Sequence, residues 1–240
     1  MTYLIVAAGM GTRLRPYTLD CPKGLYRLDE KTTLLGHLVD GIREADPEAE
    51  IVLCTGFRAD RVEKALAGKG VIFRWNPFYE TTNSLSTLWF AREFLDRENV
   101  VLIDGDSVAE KRLIREVYAK PVDRPVSLID TSRASSGDYC VKTDADGYVV
   151  AMAKGLADPT GEYANVSKLD RMTALRFRDR MDRMLRAGRT NEWMETCLNQ
   201  LVFEEGLRLA AQDIAGYAWA EIDDASEMAR VMEIFGRDRA

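Results

Sequence analysis

The run Ala7-Ala8-Gly9-Met10-Gly11-Thr12-Arg13-Leu14-Arg15, followed by Pro22-Lys23, is the stretch of this sequence richest in potential chemistry. Two glycines behind a strand let backbone N–H groups approach a phosphate closely, where a side chain would stand in the way. Arg13 offers a forked guanidinium and Lys23 a mobile ammonium, two complementary ways to hold a polyphosphate. Arg13, Arg15 and Lys23 fall within eleven residues of a protein whose formal net charge is −6, so the glycine turn asks for an anion. A dinucleotide fingerprint would place a third glycine three positions after Gly11, and Leu14 stands there instead.

Carboxylates form the second candidate group. Asp104-Gly105-Asp106 ends one apolar run and Asp223 ends another, Tyr217–Ile222. Ligands of open α/β sheets collect at such strand ends. Two carboxylates without histidine company suit a hard, oxygen-seeking ion such as Mg²⁺. A strand-end aspartate can equally cap the helix that follows, and Asp224 is placed to do so.

The elements that must position these residues follow from periodicity. Strands are expected at Tyr3–Ala7, Glu50–Thr55, Val71–Arg74 and Val100–Asp104, and helices at Thr33–Ala45, Ala59–Ala67 and Asn83–Leu95. That alternation implies a Rossmann-like α/β fold, with a mostly parallel, mixed sheet and helices on both faces. The second half adds strands at Pro125–Asp130, Tyr139–Thr143 and Tyr148–Ala153, with Asp146-Gly147 as a hairpin turn, and helices at Asp170–Arg186, Asn191–Glu204 and from Asp224. This is a small antiparallel elaboration. No Gly-, Pro- or Ser-rich linker divides the 240 residues, so one domain is expected, with a first part in about residues 1–110 and a second in about 111–240.

Composition narrows the classes. An acidic chain with 33 basic and 39 acidic residues lacks the basic face of a general nucleic-acid binder. No apolar run approaches the ~18 residues of a membrane span. Met1 precedes a strand almost directly, and Cys21, Cys54, Cys140 and Cys197 form no C-x-x-C pair. Reduced thiols in a cytoplasmic protein are the expectation. A homodimer is left open.

The glycine run with Pro22-Lys23 resembles the signature of the sugar-phosphate and phosphocholine nucleotidyltransferase superfamily. The resemblance implies that Arg13 and Lys23 line a triphosphate, with Ala8, Gly9 and Gly11 near the nucleoside. It also matches Gly105-Asp106 and Glu221-Ile222-Asp223, making Asp106 and Asp223 the implied Mg²⁺ pair and Asp104 a supporting group. Gly24 and Asp224 depart from the Ala and Thr usual at those positions.

Asn76-Pro77-Phe78-Tyr79-Glu80-Thr81-Thr82-Asn83-Ser84-Leu85-Ser86 resembles the corresponding segment of phosphocholine and phosphonate cytidylyltransferase-like proteins. Amide and hydroxyl groups at a helix N-terminus can read a base edge or a ribose, so Asn83 and Ser84 are the candidates; capping is their other reading. Further matches at Ala153-Lys154-Gly155, Gly161-Glu162-Tyr163 and Glu192-Trp193-Met194-Glu195 imply an acceptor side built from Lys154, Tyr163, Trp193 and Glu195. Asn165 stands where relatives carry Gly. Residues two apart on one helix do not share a face, which argues against Trp193 and Glu195 both reaching a ligand, and Trp193 could instead pack in the core.

The implied reaction transfers CMP from CTP to a small phosphorylated or phosphonate acceptor of the phosphocholine or 2-aminoethylphosphonate kind. The rivals are a sugar-1-phosphate nucleotidyltransferase using UTP, GTP or dTTP, and a non-catalytic nucleotide sensor of the same fold.

Overall fold

The computed structural model describes residues 1–135 and 137–235. Its centre is β1 (Thr2–Ala7), flanked in parallel by β2 (Glu50–Thr55) and β4 (Asn99–Asp104); β3 (Val71–Trp75) continues beyond β2. The side chains of β1 alternate between two cores. Tyr3 and Ile5 meet Leu38 and Ile42 of α1 (Leu34–Ala45), while Leu4 and Val6 meet Leu88 of α3 (Ser84–Trp89). Burial on both faces is why β1 reads as an unbroken apolar run. Thr33 caps α1 by accepting from the Gly36 N–H, and α2 (Ala59–Ala65) crosses between β2 and β3.

The chain leaves β1 toward β2 and β3 on one side, and β4 lies on the other. The order therefore reverses beside β1, opening a crevice at the carboxyl ends of β1 and β4.

Beyond β4 the sheet turns antiparallel. β5 (Ser107–Ala109) follows, then α4 (Lys111–Leu113), which passes into a π-helical turn at Ile114–Tyr118. β6 (Val126–Asp130), the hairpin β7 (Tyr139–Thr143) and β8 (Val149–Lys154), and β9 (Gly161–Asp170) come next. β9 inserts antiparallel between β4 and β6, and β10 (Ala210–Asp213) closes that edge of the nine-stranded sheet. α5 (Arg171–Arg186), capped by Asp170, and α6 (Met194–Phe203) cover the second core. β11 (Trp219–Glu221) leads into α7 (Ala225–Phe235). Among the described residues no helix is long and apolar enough to cross a membrane.

Three expectations change. Asn83–Leu95 is not one helix: α3 ends at Trp89, and Arg92–Asp96 forms a separate 3₁₀ turn. Bonds from Phe90 N to Thr87 O and from Ala91 N to Leu88 O tighten the end, and Arg92 lies over the Trp89 ring while donating to the Trp89 carbonyl. The longest strand, β9, was not anticipated, because its buried Asn165, Ser167 and Lys168 interrupt the apolar pattern. Finally, the strand expected at Tyr217–Ile222 spans only Trp219–Glu221, and it pairs with β5 in a two-stranded antiparallel sheet.

Lys168 is buried, with its ammonium donating to the Val117 carbonyl in the π turn. Burial lowers its pKa from 10.5 to about 8. A base whose folded pKa is depressed destabilises the fold below that value, and the penalty fades as pH rises toward the unfolded pKa. Lys168→Met should therefore raise the melting temperature at pH 7 by roughly 2–4 °C, the shift about 1 kcal/mol gives in a domain of this size. The gain should shrink between pH 8 and pH 10, as thermal unfolding across that range will show.

Candidate active site

The glycine turn forms one wall of the crevice. Gly11 has a left-handed backbone (φ 58°), and a Cβ there would come within 3.0 Å of the Thr18 methyl. Thr18 donates its hydroxyl to the Gly11 carbonyl at 2.6 Å and locks the turn. Leu14, where a dinucleotide fingerprint would have glycine, is buried beside Val108 and Ile222 and ties the loop to the small sheet. The opposite wall is Asp104-Gly105-Asp106. A Cβ on Gly105 would sit 2.6 Å from that of Ala7, and the Gly105 N–H donates to Val6 O, so only glycine lets the β4 end close on the β1 end.

Between these walls lies an ionic cluster. Lys23 Nζ is 2.8 Å from Asp106 Oδ2 and 2.9 Å from Asp223 Oδ1, and Arg13 Nη2 is 2.7 Å from Asp223 Oδ2. Burial works against the Lys23 ammonium, yet the two carboxylates outweigh it and hold its pKa above the ordinary value. Burial also works against ionised Asp223, but Lys23 and Arg13 prevail and lower its pKa. The small sheet brings Asp223 here: the Ile222 N–H donates to the Asp106 carbonyl, and Glu221 pairs with Ser107.

Glu221 is the group the sequence reading passed over. Its carboxylate, with those of Asp106 and Asp223, offers oxygens all within 4.8 Å of one another. Burial first, then the charges of Asp106 and Asp223, push its pKa up to about 8, against the Asn165 amide and Lys23. Strand alternation held the signal, since residues two apart in an extended chain share a face. Asp106 Oδ1 is buried without a hydrogen-bond partner among the described residues. A carboxylate trio with an orphaned oxygen and no thiol or imidazole is a donor set that suits a hard divalent cation.

Farther along the pocket, the half-buried Asp104 and the buried Glu195 form a carboxyl pair. Burial, then Glu195, Asp106 and Glu221, drive the Asp104 pKa well up. Burial pushes Glu195 up to about 7, opposed by its own backbone N–H and by Asp104. Glu195 Oε1 has no partner among the described residues.

Aromatic rings surround this pair. Tyr139 meets Tyr163 and Trp193 edge-on, with centroids 6.2 and 6.4 Å apart. The Tyr139 hydroxyl accepts from Asn199, and that of Tyr163 bonds to Ser167. Trp193 is 45% exposed, which overturns its core alternative. The same-face objection to Trp193 and Glu195 also falls. Trp193 is the N-cap of α6 with extended backbone (φ −77°, ψ 154°), so its side chain escapes the helical register and both residues line the pocket. Lys154 is paired with Asp138, its ammonium 5.7 Å from the Trp193 ring centroid.

At the remaining end, Asn83 caps α3 by accepting from Ser84 N, and Ser84 Oγ accepts from Met194 N, tying the starts of α3 and α6 together. Capping thus occupies one atom of each, while both still line the pocket. Ala8, Gly9, Gly11, Arg13, Lys23, Asn83, Ser84, Asp106, Lys154, Tyr163, Trp193, Glu195 and Asp223 all face one pocket of about 440 Å³. Tyr139, Asp138, Asn165 and Glu221 join them there.

This arrangement has relatives. The chain is 28% identical over 240 residues to the CMP-5'-(3-aminopropyl)phosphonate synthase of Streptomyces rubellomurinus, covering 93% of this chain and 37% of that protein. It is 30% identical over 115 residues to the choline-phosphate cytidylyltransferase of Streptococcus pneumoniae, 48% of each chain. The chain thus spans about a third to a half of the curated relatives it matches. Sugar-phosphate nucleotidyltransferases also match, over 151 and 63 residues. The solved CTP:phosphocholine cytidylyltransferase of Streptococcus pneumoniae superposes with a TM-score of 0.80 at 21% identity, covering 97% of this chain and 98% of that one, and so has the same fold. Residues 3–191, which carry the glycine turn, Lys23, Asp106 and the acid–aromatic chamber up to its last helix, match the MobA-like NTP transferase domain, and the chain belongs to that family.

Proposed function

We propose that this chain is a Mg²⁺-dependent cytidylyltransferase that moves CMP from CTP to a small phosphorylated or phosphonate acceptor bearing an amino group. The carrying observation is that one pocket joins two unlike chemistries. A glycine turn with Lys23 and Arg13 stands beside clustered carboxylates, and an acid pair stands among aromatic rings. The first suits a polyphosphate and the second a cationic group.

In the reaction the acceptor oxygen attacks the α-phosphorus of CTP. A new P–O bond forms as the bond to the bridging oxygen breaks, and pyrophosphate leaves with the electron pair. Asp106 and Asp223, with Glu221, would hold Mg²⁺, which supplies charge neutralisation for the phosphate oxygens when bound. Lys23 exchanges its carboxylate partners for phosphate oxygens, and Arg13, already 65% exposed at the pocket mouth, does likewise. The glycine turn presents backbone donors, Asn83 and Ser84 lie where a nucleoside is read, and Lys154 takes the acceptor phosphate. Glu195 and the rings of Tyr163 and Trp193 receive the amino end. A covalent enzyme intermediate is not required: His37 is tied to the Ala109 carbonyl, and Cys54, Cys140 and Cys197 are buried with raised pKa values.

Pyrophosphate release across a panel of nucleoside triphosphates and acceptors tests the reading. Turnover is expected with CTP and aminoalkylphosphonate or phosphocholine acceptors. Turnover confined to UTP, GTP or dTTP with sugar 1-phosphates would replace it with the sugar-nucleotide reading, and no turnover with any pair would favour a sensor.

Asp106→Asn and Asp223→Asn should each lower kcat by about 100- to 1,000-fold, as should Lys23→Ala, and EDTA should abolish turnover. Asp224→Asn should be far milder, because Asp224 caps α7 through Ser226 and Glu227. Steady-state kinetics on purified variants checks this series; an acceptor KM effect alone in Lys23→Ala would reassign that residue.

Glu195→Gln keeps the shape but removes a negative charge. It should raise the KM of an amine-bearing acceptor about tenfold, leave the KM for CTP unchanged, and affect an uncharged acceptor less. Equal losses for charged and uncharged acceptors would make Glu195 structural.

A further inference from the structure

Asn165 combines features that a purely structural position on a strand does not need. Its backbone is left-handed (φ 58°), it is only 8% exposed, and its Nδ2 donates to Glu221 Oε2 at 2.7 Å. It sits where β9 departs from regular pairing. Ser167 pairs with Ser127, and Tyr163 with Ile129. Between those pairs β6 has Leu128 alone, while β9 has Ala164, Asn165 and Val166. The ladder with β4 likewise stops at Val166, opposite Ile103, one residue before Asp104. The bulge thus falls level with the site and turns one β9 side chain out of the main sheet toward β11 of the small one. Bulges commonly re-aim a side chain in this way beside active sites.

The chemistry at the end of that side chain is specific. Glu221 faces the like charges of Asp106 and Asp223. A lysine or arginine partner would neutralise it but would compete with a metal ion for the same seat, as Lys23 does at the other two carboxylates. A neutral amide donor stabilises the ionised carboxylate, fixes its orientation and adds no competing charge. Asparagine also tolerates the left-handed backbone better than most other residues with a side chain. Glycine would fit the backbone without supplying the donor.

We infer that the β9 bulge makes Asn165 a positioning residue, whose amide holds Glu221 as a third oxygen ligand of the cation seat beside Asp106 and Asp223. The inference rests on the metal reading above, and the experiment separates the two. Mn²⁺ binding to the full chain is measured by electron paramagnetic resonance for wild type, Asn165→Gly, Glu221→Gln and the double variant, with thermal melts alongside.

Asn165→Gly should weaken Mn²⁺ binding about 10- to 100-fold, the usual cost of losing a group that orients a metal ligand. It should melt close to wild type. Glu221→Gln should weaken binding at least as much, and the double variant should bind no worse than Glu221→Gln, because the two act through one interaction. Wild-type affinity in Asn165→Gly, additive losses in the double variant, or failure of Asn165→Gly to fold overturns the role of Asn165 and leaves the metal seat standing. Wild-type affinity in Glu221→Gln removes Glu221 from the ligand set. If wild type binds no Mn²⁺, the metal reading itself falls.

Discussion

The bridge from Lys23 to Asp106 and Asp223 is the interaction on which the rest of the site depends. The pocket gathers Asp104, Asp106, Glu195, Glu221 and Asp223, and so many carboxyls cannot all be ionised side by side without counter-charge. Lys23 and Arg13 neutralise the outer part of the cluster, leaving Asp223 ionised with a lowered pKa. Away from them, Asp104 and Glu195 both have raised pKa values, chiefly through burial.

That bridge requires three remote segments to converge. Lys23 follows the glycine turn, Asp106 follows β4, and Asp223 follows β11, with 83 and 200 residues separating lysine from its partners. The β1–β4 crevice fixes the first two, and Gly105 lets the strand ends close. The third arrives through the small sheet, whose pairing of Glu221 with Ser107 sets Asp223 beside Asp106. Arg133 and Asp130 clamp Trp219, the first residue of β11, to the end of β6. The antiparallel half of the fold therefore does more than line the pocket, since it also delivers Glu221 and Asp223.

The same bridge sets a condition on the ligand-bound state. Under the proposed function, a cation seated on Asp106 and Asp223 would compete with the Lys23 ammonium for those carboxylates, and an arriving phosphate would draw the lysine away. A triphosphate would offer Lys23 a replacement partner of higher charge density. Nucleotide and metal would then be coupled through one side chain, with the glycine turn beside it.

Local chemistry made much of this protein readable in one dimension. The apolar run of β1, the glycine turn, Lys23, and Asp106 declare themselves because each depends on near neighbours: a buried strand needs continuous apolar residues, and a phosphate loop needs glycine. The thirteen site residues inferred from residue type and resemblance all line one pocket. Other features belong to tertiary structure alone. β9 was hidden because Ser167, Asn165 and Lys168 are polar residues whose burial depends on partners far along the chain: Ser127, Glu221 and Val117. Trp193 shares the pocket with Glu195 only because a helix happens to start between them, a boundary fixed by the Ser84 hydroxyl 110 residues earlier. Glu221 gains its place from an antiparallel pairing of two three-residue strands, too short to leave any periodic trace. Residue type sets what a side chain can do, but only long-range packing decides which side chains it meets.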